Sequence, residues 1–217
     1  MTDSQSDNSR VVLLLIVGIP VAVILAATVL WYMASRGDVG LLNALGTANR
    51  GTLIQPPRQI DGVALSDAAG APSPYASLEP RWSLLVPGDD TCGAICEHRL
   101  WLTRQIHMSM GKDMDRLRRL YVSETAPGAT SLTVDNLSDD RPLPPDFTAL
   151  LASEHRGLVA LRMAQGGIEK LFPEWRTDPD TWYLVDPRGW IMMSYTSEDS
   201  YKEVIADLKF LMKNSRG

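Results

Sequence analysis

The chain has 217 residues, 45% of them hydrophobic, with 21 basic and 26 acidic residues and a formal net charge of −5. This length is sufficient for one globular domain together with a membrane anchor and a linker. The acidic balance argues against a nucleic-acid partner, and two cysteines are too few for a framework of several disulfides.

An uncharged apolar run at residues 11–34 predicts one transmembrane helix near the N-terminus. In helical form about 24 residues rise roughly 36 Å, which is enough to cross the hydrocarbon core of a bilayer. Trp31 and Tyr32 lie at one end, where aromatic rings favour the membrane interface. A cleaved signal peptide would have a shorter apolar region and a small-residue cleavage site. We therefore expect residues 1–10 to precede an uncleaved anchor.

The rest of the chain alternates predicted strands and helices. Residues 35–57 indicate a linker, and residues 58–217 are expected to form one domain. The predicted elements are a strand at 59–65, a loop at 68–80, a buried strand at 82–86, a helix at 97–110, a strand at 117–122, a helix at 145–155, a strand at 158–163, a hairpin of strands at 182–185 and 190–195, and a helix at 197–214. This order is typical of an α/β domain with a central mixed sheet flanked by helices. Ser197 is the candidate N-cap of the last helix.

Cys92 and Cys96 lie between the buried strand and the helix that follows it, with three residues between them. A thiol at a helix N-terminus has a lowered pKa and a larger thiolate fraction. Such a pair can form a redox-active disulfide, form a structural disulfide, remain as two small buried side chains, or bind a soft ion such as Cu(I). A zinc site would need further ligands from His98, His107 or His155, because the sequence has no second cysteine pair.

A few other polar residues have a functional and a structural interpretation. His98 could stabilise a thiolate or complete a metal site, but a solvent-facing helical histidine is the favoured interpretation. The basic cluster Arg116, Arg118 and Arg119 predicts the solvated edge of an element. His155 is expected to interact with the carbonyl groups at a helix end.

The layout of the chain resembles a known family. The C-x3-C loop follows a buried strand, and the run YLVDPRG at residues 183–189 precedes a strand and a final helix. Together with the N-terminal anchor, these features resemble the SCO/SenC family of thioredoxin-fold proteins over about residues 59–214. Members of that family are membrane-tethered copper chaperones or thiol-disulfide reductases that help to build the CuA centre of cytochrome c oxidase. The resemblance therefore implies a thioredoxin-like domain, with a cytochrome c oxidase subunit or its assembly factors as partner.

The chain departs from the family at the copper ligands. Counting back from the YLVDPRG run, Asp178 occupies the place of the family's distal histidine, and a carboxylate is a poor ligand for Cu(I). Residues 93–95 read Gly-Ala-Ile and lack the family's usual Pro-Asp. The resemblance then implies dithiol exchange, with Cys92 as the more exposed attacking thiolate and Cys96 as the resolving thiol. Any Cu(I) would be held by Cys92, Cys96 and His98.

Three alternatives remain for the cysteine pair. A non-catalytic membrane-bound assembly scaffold would use it as a structural disulfide. A copper chaperone would use it with an altered third ligand. A peroxiredoxin-like peroxidase would need a Pro and a Thr or Ser just before the reactive cysteine, and Pro87 and Thr91 are near Cys92 but not at that spacing.

The orientation of the anchor depends on the cysteines. Arg10 precedes the apolar run and Arg36 and Arg50 follow it, so the count of basic residues does not decide the orientation. A disulfide persists on the oxidising side of a membrane. We therefore expect a single-pass protein of the bacterial inner membrane with a periplasmic C-terminal domain.

Overall fold

The computed structural model describes residues 4–35 and 50–214. Contacts divide the chain into two compact units, Met1–Asn49 and Arg50–Gly217. In the first unit, helix α1 (Ser4–Ser35) covers the predicted anchor and contains Pro20. Apolar side chains of this helix are exposed, among them Leu14 and Ile24. None of the described helices has both the length and the apolarity that crossing a membrane requires.

The second unit contains nine strands and five helices among its described residues. The strands are β1 (Thr52–Gln59), β2 (Leu65–Ser66), β3 (Trp82–Gly88), β4 (Thr91–Cys92), β5 (Leu117–Ser123), β6 (Ser131–Leu132), β7 (Leu158–Met163), β8 (Trp182–Val185) and β9 (Trp190–Tyr195). The helices are α2 (Ala94–Ser109), α3 (Phe147–Glu154), α4 (Gly167–Leu171), α5 (Pro173–Thr177) and α6 (Tyr201–Asn214).

Seven of the strands form one mixed sheet in the order β1-β9-β8-β3-β5-β7-β2. Strands β3, β5 and β7 are parallel at its centre, and β8, β9, β1 and β2 are added in antiparallel orientation. Strands β4 and β6 form a separate two-stranded parallel ribbon. The predicted central mixed sheet is therefore confirmed, and it places the cysteine loop directly after its central strand.

Strand β3 is buried on both faces, as its continuous apolar sequence predicts. Leu84 packs in one core cluster with Leu100 of α2 and Leu208 of α6. Leu85, the next residue along, packs with Leu120 in the cluster on the opposite face. The two clusters hold β3 from both sides, so the loop that leaves its end starts from a rigid position.

The N-terminal boundary of the domain differs from the prediction. Strand β1 begins at Thr52, inside the predicted linker, and pairs with β9. Pro56 and Pro57 indicate a linker in the sequence, but an edge strand tolerates proline, and the pairing register shifts between Leu53 and Arg58. The predicted strand at 59–65 is wrong, because residues 60–62 form a 3-10 turn. Residues 36–49 of the predicted linker lie outside the described part of the chain.

The predicted cap of the last helix is also wrong. Helix α6 begins at Tyr201, four residues after Ser197. The backbone N–H of Ser197 donates to Asp180 at 2.7 Å, and its hydroxyl donates to the same carboxylate. Ser197 therefore connects two loops and does not begin a helix.

Two residues of the basic cluster, Arg118 and Arg119, lie on β5, which is a central strand and not a solvated edge, and Arg116 lies in the turn before it. Arg118 and Arg119 are buried, and only Arg116 of the three is largely exposed. Arg118 Nε donates to Ser83 Oγ at 3.0 Å. Arg119 Nη1 lies 3.3 Å from His155 Nδ1, so the His155 ring contacts Arg119 and not the helix-end carbonyls that the sequence suggests. Burial and the nearby arginine charge lower the pKa of His155 to about 3, which makes the ring a neutral acceptor.

Candidate functional site

Cys92 and Cys96 form a disulfide, with their Cα atoms 5.1 Å apart. Cys92 ends the short strand β4, and Cys96 lies in the first turn of α2. Gly93 caps this helix, and its carbonyl accepts the N–H of Glu97 at 3.0 Å. The loop and the helix start thus bring the two sulfurs together, as the C-x3-C spacing predicts.

The two cysteines differ in exposure, in the opposite sense to the expectation from sequence. Cys92 has 0% of its surface exposed and Cys96 has 6%. The reason is the ribbon of β4 and β6, in which Cys92 pairs with Leu132 and its carbonyl accepts the N–H of Thr133 at 3.0 Å. Cys92 is therefore not the more accessible sulfur in the disulfide form.

A cavity of about 530 Å³ lies beside the disulfide. Of the two cysteines, only Cys96 is among the described residues that line it. The residues that line it are Asp89, Asp90, Thr91, Gly93, Ala94, Ile95, Cys96, Arg99, Trp175, Arg176 and Pro179. The cavity thus lies between the cysteine loop with the first turns of α2 on one side and helix α5 with the segment after it on the other.

Arg99 is a buried cation in the wall of this cavity. Its Nη1 donates to the carbonyls of Pro87 and Thr181, each at 3.2 Å, and its Nε donates to Ile95 at 3.3 Å. Burial lowers the pKa of Arg99 to about 10, which leaves the side chain charged near neutral pH. Arg99 takes part in none of the ion pairs found among the described residues. Its charge is therefore balanced by carbonyl dipoles and, at longer range, by the carboxylates of Asp180 and Asp178.

Trp175 brings a second arginine into the wall. The guanidinium carbons of Arg99 and Arg176 lie 5.9 Å and 5.5 Å from the centre of its ring, within the range of cation–π attraction. Arg176 also approaches Asp89 at 3.9 Å, in an exposed pair that stabilises little. Sequence reasoning missed Arg99 as a site residue, although its position three residues after Cys96 places both on one helix face.

His98 and Glu97 contact the opposite side of the helix start. His98 Nδ1 lies 3.2 Å from Ser138 Oγ, and its ring stacks on Trp101 at 5.5 Å. The buried Glu97 carboxylate accepts the Ser138 hydroxyl at 2.6 Å and its N–H at 3.2 Å. His98 lines a separate cavity that shares Ala94 and Ile95 with the first. Its role as a metal ligand stays a prediction.

Asp178 is exposed at the end of α5, and its Oδ1 accepts the N–H of Asp180 at 3.0 Å. It is absent from the described lining of the Cys96 cavity, which Arg176 and Pro179 reach from the same segment. Across residues 4–35 and 50–214 no group of three or more His, Cys, Asp or Glu side chains is arranged to hold a metal ion. The described residues therefore supply a sulfur pair without a third donor beside it.

The sequence of this domain matches the profile of a family described as transmembrane-like, thioredoxin-like, C-terminal domain, over residues 82–140 and 138–215. The match covers more than half of the chain. The chain belongs to this family. Its α/β domain is accordingly a thioredoxin-like domain, and no curated protein matches it in sequence.

Solved structures similar to this thioredoxin-like domain include SCO proteins. Yeast Sco1 is 16% identical with a TM-score of 0.53, covering 78% of this chain and 99% of that chain. Copper-bound yeast Sco1 is 16% identical with a TM-score of 0.51, covering 78% and 96%. Copper-bound ScoI of Arabidopsis thaliana is 14% identical with a TM-score of 0.50, covering 70% and 97%. The resemblance to SCO/SenC proteins is confirmed in the fold.

Replacing Arg99 tests its role in the wall of the cavity. Arg99→Met keeps most of the stem but removes the donors to Pro87 and Thr181, so we expect a loss of about 1–3 kcal/mol in the free energy of unfolding. Urea unfolding of the oxidised chain, followed by circular dichroism, measures the change. Arg162→Met is the matched control, because exposed Arg162 also donates to a carbonyl, that of Glu124. Equal losses in the two variants would contradict the role assigned to Arg99.

Proposed function

We propose that this thioredoxin-like protein is a thiol-disulfide protein that assists the assembly of cytochrome c oxidase. The observation that carries the proposal is the Cys92–Cys96 disulfide, of which one residue, Cys96, lines an open cavity. A disulfide that a second thiol can approach is suited to exchange, whereas a bridge enclosed on all sides is suited to a structural role. The thioredoxin-like fold supports the same chemistry by analogy.

The partner follows from the resemblance to SCO/SenC proteins. Members of that family help to build the CuA centre of cytochrome c oxidase, a site that must have its cysteines reduced before copper can bind. A dithiol form of Cys92 and Cys96 could reduce such a disulfide in an oxidase subunit or in one of its assembly factors. The proposed activity is therefore the reduction or maturation of the CuA site.

The redox behaviour of the pair separates exchange from a structural bridge. We expect Cys92 and Cys96 to interconvert between dithiol and disulfide at a potential above about −300 mV, where periplasmic partners can act on them. Alkylation with a mass-tagged maleimide across a series of dithiothreitol redox buffers measures the midpoint.

The scaffold alternative predicts a different pair of results. Full burial of Cys92 favours it, because an enclosed sulfur is protected from reduction. A redox midpoint below about −300 mV, together with a loss of about 2–5 kcal/mol in the free energy of unfolding of Cys92→Ser, would show that the disulfide is structural and would contradict the exchange function.

Copper is the second candidate, and the donor set argues against tight binding. Cu(I) prefers thiolate and accepts imidazole, and beside the Cys96 cavity the described chain offers two sulfurs without a third soft donor. A copper chaperone with His98 as an altered third ligand is the remaining form of this proposal. Such a site would need the His98 ring to leave Ser138 and Trp101.

Competition of the reduced chain against a Cu(I) chelator tests this candidate. We expect Asp178→His to leave the Cu(I) affinity within tenfold, about 1.4 kcal/mol, because Asp178 is exposed and lies outside the cavity lining. Tightening beyond tenfold would place Asp178 at the ligand position. His98→Ala is the companion variant, and a tenfold loss there would identify His98 as the third ligand and favour the chaperone. Cys96→Ala sets the background of the assay.

We also infer that residues 11–34 insert into the bacterial inner membrane and leave the C-terminal domain in the periplasm. Two features support insertion into a membrane. One is the uncharged run itself, and the other is the exposure of apolar α1 side chains such as Leu14 and Ile24, which is unfavourable in water. The disulfide is suited to an oxidising compartment. A reporter active only in the cytoplasm, fused after Gly217, should give no signal, and a strong signal would reverse the orientation.

A further inference from the structure

The disulfide offers a partner two unequal sulfurs. Cys92 is enclosed by the core, and its backbone is held in the β4–β6 ribbon. Cys96 belongs to the same core cluster and has only 6% of its surface exposed, but it forms part of the cavity wall, which Cys92 does not. Thiol exchange requires the attacking sulfur to approach along the bond that breaks, so access at one sulfur and not at the other determines which of them reacts.

We propose that Cys96, and not Cys92, is the sulfur that forms the mixed disulfide with a partner, and that the partner sulfur reaches it through the cavity between α2 and α5. The proposal rests on the exchange function above and names the reacting atom of that site. It reverses the order expected from sequence, in which Cys92 attacks and Cys96 resolves.

The exchange can be written with its electrons balanced. In the dithiol form, the Cys96 thiolate attacks one sulfur of a partner disulfide; a bond forms to Cys96 Sγ, and the partner's S–S bond breaks with its electron pair leaving on the second partner sulfur. Cys92 then loses its proton and attacks Cys96 Sγ, which releases the first partner sulfur as a thiolate. The chain is oxidised to its disulfide, and the partner disulfide is reduced by two electrons. The two protons lost by Cys92 and Cys96 balance those that the partner thiols take up.

The walls of the cavity suit this step. Both the attacking and the released groups are thiolates, and the buried Arg99 guanidinium lies in the same wall as Cys96 with no carboxylate paired to it among the described residues. The other charged residues of the wall are Arg176, Asp89 and Asp90, so a thiolate in the cavity is attracted by the two arginines and repelled by the two carboxylates. Ile95 is exposed beside Cys96 and provides an apolar contact for the chain that carries the partner sulfur.

Limited alkylation of the unmodified chain tests the proposal. The reduced full chain is treated with less iodoacetamide than it has thiols, quenched and digested with trypsin. Both cysteines fall on the peptide 82–99, and fragmentation of that peptide locates the label. We expect at least tenfold more label on Cys96 than on Cys92. Equal labelling, or more label on Cys92, would overturn the assignment.

Single-cysteine variants give an independent measurement. Cys92→Ala should form a mixed disulfide with oxidised glutathione at least tenfold faster than Cys96→Ala, and the difference should vanish in urea, where both sulfurs are exposed. A faster reaction of Cys96→Ala would overturn the proposal. The redox midpoint decides the exchange function and the position of the label decides the reacting sulfur, so failure of one is distinguishable from failure of the other.

Discussion

One buried guanidinium connects the disulfide to the sheet. Arg99 lies one turn after Cys96 in α2, and its side chain donates to Pro87 at the end of β3 and to Thr181, the residue just before β8. Strands β3 and β8 are neighbours at the centre of the sheet, so the first turns of α2 are attached to the most rigid part of the domain. Without this contact, the helix start could shift relative to the strands, and the disulfide and its cavity would shift with it. The geometry of the site therefore depends on a buried charge that has no ion-pair partner in the part of the chain that the structure describes.

The sequence predicted the centre of the fold better than its edges. A continuous apolar run such as β3 has one stable environment, a strand covered on both faces, and the hairpin of β8 and β9 carries its turn residues at Asp186–Gly189. Strand β1 was missed because proline disfavours a strand in the sequence pattern. It is tolerated here because β1 lies at the edge of the sheet, where one side of the strand has no neighbour that needs a backbone N–H. The burial of Arg118 and Arg119 likewise depends on the elements that pack on the two faces of the sheet at β5, which a local sequence pattern does not predict.

The same limit applies to the site. Spacing indicated that Cys92 and Cys96 can meet, because three residues on a loop that enters a helix can bring both sulfurs together, and the structure has the disulfide. Spacing could not rank their exposure, since the residues that cover Cys92 come from β6, about forty positions later. Trp175 and Arg176 approach Cys96 only through the tertiary fold. The usual thioredoxin arrangement supplied the expectation that Cys92 is the more exposed cysteine, and the ribbon of β4 and β6 reverses it.

The ribbon that covers Cys92 is the smaller of the two sheets formed by the described residues. It joins two residues of β4 to two of β6, and such short pairings lie at the low end of local stability, where segments open many times before the domain unfolds. An opening of the ribbon would break the hydrogen bond from Thr133 to Cys92 and uncover a sulfur that is otherwise enclosed. The reactivity of Cys92 would then depend on how often a few backbone hydrogen bonds break. The rate at which this short ribbon opens would then limit the rate at which Cys92 reacts.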